Sequence, residues 1–148
     1  MRAHALLISL ASLVAGVAHA AGGWKIGTKP VAEITDEDNM APVVDALAKK
    51  AGFEAESAGG ASYCKYVNGT FTYKLAGVAY RVEFTHPRQG AAPAGCDASP
   101  PKLAEVKAGP NDILVYDAAG DTLLSTKPWM APGNKANGKR LFDAVFKK

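Results

Sequence analysis

Residues 63–85 read YCKYVNGTFTYKLAGVAYRVEFT, and this run decides the fold class. From Thr70 onward apolar and polar residues alternate, with Phe71, Tyr73 and Leu75 on one side of a strand and Thr70, Thr72 and Lys74 on the other. After Ala76-Gly77, Val78, Tyr80, Val82 and Phe84 alternate in the same way with Ala79, Arg81, Glu83 and Thr85. Half-polar strands of this kind suit an antiparallel sheet with one face on a core and the other in water. Asn68-Gly69 is a strong two-residue hairpin signal, because both residue types tolerate positive φ. The pattern therefore predicts a three-stranded meander: 63–67, a turn at Asn68-Gly69, 70–75, a turn at Ala76-Gly77, and 78–85. Asn68-Gly69-Thr70 also matches a glycosylation acceptor, but the turn is the preferred reading.

Upstream of the meander, Thr35 and Asp38 resemble a capping box, and Asp36, Glu37 and Asp38 suit the positive end of a helix dipole. Met40, Val43, Val44, Leu47 and Ala51 recur at helical spacing, Pro42 is tolerable in the first turn, and Gly52 is placed to stop the helix. A short edge strand is expected over 31–34 and a loop over 54–61. Downstream, residues 87–101 hold four prolines and no periodicity, which reads as a long loop. A second hairpin is expected from 113–116 and 122–126 around a turn at 117–120. Leu141, Val145 and Phe146 suggest a short C-terminal helix. The sum is an α+β fold: an N-terminal amphipathic helix packed on an antiparallel meander sheet of four to six strands, then a short helix, with one disulfide.

The disulfide follows from the compartment. Arg2, the apolar run 5–17 and Ala18-His19-Ala20 form an export signal cut after Ala20, leaving residues 21–148 as one domain that is periplasmic or secreted. The apolar run is too short for a membrane span of about 20 residues, and no cysteine stands at the cut to carry a lipid. Cys64 and Cys96 are then expected to pair, since they are not in a Cys-x-x-Cys redox arrangement. Closing that loop stabilises the fold by about 3–4 kcal/mol in the chain-entropy model.

Much chemistry is missing. His4 and His19 leave with the signal, so His86 alone remains, too few for a histidine-rich zinc or blue-copper site. Motifs for covalent haem, a hydrolase nucleophile elbow, a phosphate loop and an EF-hand are also absent from the sequence. No metal or cofactor is expected. His86, beside Pro87 at a strand end, reads as an ordinary exposed histidine. Asp36, Glu37 and Asp38 read as helix-start residues, with weak calcium binding as the alternative, and Asp117 and Asp121 as turn residues.

The chain carries a formal net charge of +3, too small to argue for nucleic acid. Its basic residues concentrate at the end: Lys127, Lys135, Lys139, Arg140, Lys147 and Lys148 stand against Asp143 alone. Two candidates for recognition remain. One is the proline-stiffened run 127–133, where Trp129 either plugs the core or anchors an interface. The other is the disulfide-tethered loop 88–97. The expected function is a non-catalytic exported binding module, an inhibitor or accessory protein of another exported protein, with Trp129, Met130, Lys127, Lys135, Lys139, Arg140 and Arg88 as contact residues. Alternatives are a small hydrolase using carboxylates or His86, and an anion or small-ligand carrier using the concave face of the sheet.

Overall fold

A computed structural model describes residues 23–129 and 134–148. The expected export signal, residues 1–20, and Met130 lie outside the described residues. The fold is α+β, with two α-helices, two antiparallel sheets and one disulfide among the described residues.

The larger sheet has five strands: β3 (Glu54–Gly59), β4 (Tyr66–Leu75), β5 (Val78–Pro87), β6 (Ile113–Asp117) and β7 (Thr122–Trp129), in the order β3-β4-β5-β7-β6. β4 and β5 pair over their full length, from Tyr66 opposite Pro87 to Leu75 opposite Val78. Alternation sends Val67, Phe71, Tyr73, Tyr80, Val82, Phe84 and Leu124 to one face, all buried. Two helices cover that inner face: α1 (Ala41–Lys50) through Val44 and Ala48, and α2 (Lys135–Val145) through Leu141, Phe142 and Val145. A second, three-stranded sheet joins the ends of the described chain, β1 (Lys25–Ile26) lying between β2 (Lys29–Pro30) and β8 (Phe146–Lys147). Ile26 and Phe146 tie it to the core, as does an edge-on contact of Trp24 with Phe142 at 5.8 Å.

Several expectations fail here, each for a physical reason. The first helix is not N-terminal, because the β1–β2 hairpin precedes it. Residues 31–33 form a 3-10 turn rather than an edge strand, with the Val31 N–H donating to the Trp24 carbonyl. No side chain caps α1; a 3-10 turn, Asp38–Met40, leads into it, and the Asp36 carboxylate accepts from the Asp38 N–H instead. Val43 is 38 % exposed and Ala48 takes its place on the buried stripe. Phe146 belongs to β8, not to the C-terminal helix.

Two differences matter most. Residues 54–59, expected as a loop, form the edge strand β3, and a β-bulge interrupts its pairing between Ala55 and Ser57. Asn68-Gly69 makes no turn but sits inside β4, opposite Thr85 and Phe84. Tertiary partners override the hairpin propensity: the Asn68 side chain accepts from the Ala61 N–H (2.9 Å) and donates to Thr85 Oγ1 (3.0 Å). Buried and bonded in this way, Asn68 is closed to a glycan as well. Gly69 lies under the Phe84 ring, where a Cβ would meet Phe84 Cε1 at 2.4 Å. A large cross-strand aromatic thus covers the missing side chain.

β5 and β6 are both antiparallel to β7, so the 88–112 connection has to cross the sheet. With the helices on the inner face, it crosses the outer one on the β7–β6 side. There Leu123 and Leu103, the latter on a 3-10 turn of that connection, are buried outside the main core. The Cys64–Cys96 disulfide (Cα–Cα 5.0 Å) and a bridge between Tyr63 and Asp97 fasten the start of this segment. No helix among the described residues is long and apolar enough to cross a membrane.

Candidate functional site

The outer face of the five-stranded sheet is open on its β3–β4–β5 side. The alternation that buries Phe71, Tyr73, Tyr80 and Val82 turns Thr70, Thr72, Lys74, Ala79, Arg81 and Glu83 outward, and register sets them in rows: Thr70 opposite Glu83, Thr72 opposite Arg81, Lys74 opposite Ala79. Glu56 and Ser57 of β3 complete a cleft of about 450 Å³ lined by Glu56, Ser57, Thr70, Thr72, Ala79 and Arg81. Its walls are tied down from the rim: Lys74 Nζ lies 3.0 Å from Glu56 Oε1, and Thr70 Oγ1 donates to Glu83 Oε2 at 3.1 Å. Hydroxyls with charges of both signs make this a hydrogen-bonding surface.

A second cleft opens on the other side of β3. It measures about 340 Å³ and is lined by Asp45, Ala46 and Lys49 of α1 with Phe53, Glu54 and Ala55. Its floor is apolar. Asp45 at its edge accepts from the Tyr73 hydroxyl at 2.6 Å; burial first, and then that bond, push the Tyr73 phenol well above its ordinary pKa.

The residues expected to bind are divided between the two sides of the molecule. Lys127 pairs in register with Arg81 and Trp129 with Ala79, so the β7 backbone runs beside the outer cleft. The side chain of Trp129 lies outside the described residues, like Met130. Lys135, Lys139 and Arg140 belong to α2 on the far side of the sheet. Lys139 pairs with Asp143 at 2.5 Å. Arg140 donates to the Ala51 carbonyl at 2.6 Å and lies 5.3 Å over the Phe53 ring, a cationic cap for the C-terminus of α1. Arg88 clamps the disulfide loop, donating to the carbonyls of Tyr63 (3.2 Å) and Tyr66 (3.0 Å).

His86 is not exposed. It is 1 % accessible on the inner face, stacked on Phe84 at 6.1 Å, with Nδ1 2.8 Å from the Pro87 carbonyl. Desolvation lowers its pKa, against the weaker opposing pull of the Pro87 and Ile34 carbonyls. A substrate reaches this ring only if the core opens. The carboxylates of Asp36, Glu37 and Asp38 lie within 4.8 Å of one another at the surface, one of them already bonded to the backbone. Asp121, at φ 49°, accepts from the hydroxyls of both Tyr66 and Tyr116, fastening β4 to the β6–β7 hairpin. That bond, aided by burial, pushes the Tyr66 phenol up to about 12.

Sequence reasoning identified the polar face of β4 and β5 but missed Glu56 and Ser57, because six small or acidic residues without alternation carry no strand signal. Comparison with protein-family models, with curated proteins and with solved structures returned no match.

Proposed function

We propose that this chain is an exported, non-catalytic binding module, an inhibitor or accessory protein of another exported protein. It offers that partner the open polar side of its large sheet. The supporting observation is the outer cleft, walled by hydroxyl and charged side chains fixed on rigid strands and left open where the rest of the sheet is covered. The disulfide and the export signal fit work in an oxidising compartment. Burial of His86 weighs against the hydrolase alternative. The small-ligand carrier is kept as a second reading, because a cleft of about 450 Å³ falls within the size range of small-molecule sites.

The test is capture by the tagged, disulfide-bonded protein from an extract of exported proteins, read by mass spectrometry, in parallel with Thr72→Arg and Lys127→Glu. The expected result is one exported protein held by the parent and lost with Thr72→Arg, whose bulk fills the cleft from the half-buried outer face of β4. Recovery of nothing above a blank matrix, or of a partner indifferent to both substitutions, overturns the proposal.

A further inference from the structure

We propose that β3 receives an extended segment of the partner protein as a sixth strand of the sheet. This rests on the binding-module reading above and adds how the partner is held. β3 pairs with β4 alone, and all six of its residues are exposed, including Ala55 and Ala58 on the helix side. The opposite edge of the sheet, β6, is half-buried along its whole length. An edge strand normally carries charged residues, proline, a bulge or a cover against unwanted pairing; β3 has Glu54, Glu56 and a bulge at Ala55/Ser57 at its start but none of these guards from Ser57 to Gly59. Its backbone from Ser57 to Gly59 is a regular template for another chain.

The clefts state what the added strand should look like. One lies on each face beside β3: the polar one touches Glu56 and Ser57, the apolar one Glu54 and Ala55. A strand laid about 4.8 Å outside β3 presents successive side chains to opposite faces. Every second residue therefore meets the near wall of the apolar cleft at Ala46, Phe53 and Ala55, and the residues between them meet Glu56 and Ser57, the near wall of the polar one. The fitting segment alternates large apolar residues with hydroxyl ones, acidic side chains being disfavoured beside Glu54 and Glu56 of β3. A second copy of this chain does not supply it. Antiparallel pairing of β3 with itself directs only the methyl groups of Ala55 and Ala58 to the helix side, and these leave a cavity of about 340 Å³ largely unfilled.

The experiment uses a panel of synthetic nine-residue peptides in which leucine or phenylalanine alternates with threonine or serine. Peptides of the same composition in non-alternating order are the controls. Binding is measured by calorimetry and by amide hydrogen exchange of the disulfide-bonded protein. The alternating peptides are expected to bind, the controls to bind at least about tenfold more weakly, and exchange over 54–59 to slow by about tenfold or more. Ala46→Trp fills the helix-side cleft from an exposed helix position and should abolish binding with an unchanged melting temperature, whereas Ala119→Trp, on the exposed turn between β6 and β7 at the other side of the sheet, should leave binding intact. Binding without protection of β3, equal binding of the controls, no binding by any peptide, or a peptide-free dimer with β3 already protected each overturns strand addition. A partner captured from extract while the whole panel fails sinks this mode alone; failure of the capture sinks the reading beneath it.

Discussion

Gly69→Ala separates the observed strand from the turn that the sequence suggests. Gly69 is not among the residues with positive φ, so the backbone itself accepts alanine. The obstacle is the neighbouring rings. The new Cβ would stand 2.4 Å from Phe84 Cε1, 2.8 Å from Phe84 Cζ and 3.1 Å from Phe71 Cε2, where carbon contacts settle at about 3.5–4.0 Å. Phe71 and Phe84 are both buried and stack on each other at 6.3 Å, so neither ring moves without disturbing the other. Overpacking of this kind costs about 1–3 kcal/mol. Alanine stiffens the unfolded chain and returns about 0.4–1 kcal/mol. The net expectation is a loss of about 1–2 kcal/mol, and for a domain of this size a fall in Tm of about 4–10 °C. Urea denaturation and thermal melts give the value, and a double-mutant cycle gives the cause. In a Phe84→Leu background the clash is gone, and the cost of Gly69→Ala should shrink by about 1 kcal/mol or more. If Asn68-Gly69 were a hairpin turn with positive φ, alanine would be strained whatever stands at position 84. An undiminished cost beside Phe84→Leu, or a stabilised Gly69→Ala single variant, would refute the seating of Phe84 over Gly69 within a continuous β4.

Two further predictions concern pH. The Tyr66 phenol, raised to about 12, and the Tyr73 phenol, raised by burial, favour the fold while protonated. Their contribution is complete below the unfolded phenol value of about 10 and declines as pH climbs from there toward 12 and beyond, so urea midpoints should drop over that interval, less steeply in Tyr73→Phe; a flat alkaline limb in the parent refutes this. His86 has the opposite sign: its lowered pKa means that the unfolded chain takes up the proton first, so stability present above the unfolded value of about 6.5 is lost as pH falls toward the folded value. His86→Phe should flatten that acidic limb below about pH 6.5, and an unchanged slope would show that the ring is already hydrated in the native state.

The legible parts of this fold are those where local pattern and tertiary demand agree. β5 alternates cleanly because one side of it faces the helices, whereas the β6–β7 hairpin is legible from its short apolar runs and the turn between them, both of its faces being covered. Ala76 and Gly77 both adopt positive φ at the turn expected of them. Asn68-Gly69 misleads because the same dipeptide serves two ends. A turn uses it for positive φ, whereas β4 uses the amide of Asn68 to hold Ala61 and Thr85 and the bareness of Gly69 to seat Phe84. Those partners are 7, 17 and 15 positions away, beyond any local signal. His86 shows the same limit: a histidine at a strand end is exposed unless an element from elsewhere, here the segment carrying Ile34, closes over it.

The division of the expected binding residues between two sides of the molecule has a different origin, and it bears on where the proposed partner would dock. A count of charges along the chain shows an excess of cations near the C-terminus but not what those cations touch. Arg140 is occupied by the Ala51 carbonyl and the Phe53 ring, Lys139 by Asp143, and Arg88 by two carbonyls of the disulfide loop. A partner recruiting these groups has to displace native hydrogen bonds, which offsets most of what it gains. The β3 side imposes no such exchange. Its edge hydrogen-bonding groups face water, its apolar floor at Phe53 and Ala55 is open, and the hydroxyls of Ser57 and Thr72 stand on a fixed framework. Docking there, as proposed, would replace water with backbone bonds and cover apolar surface while leaving the native bonds of Arg140, Lys139 and Arg88 in place, so the inconspicuous segment 54–59 would take a partner at less structural cost than those three cations.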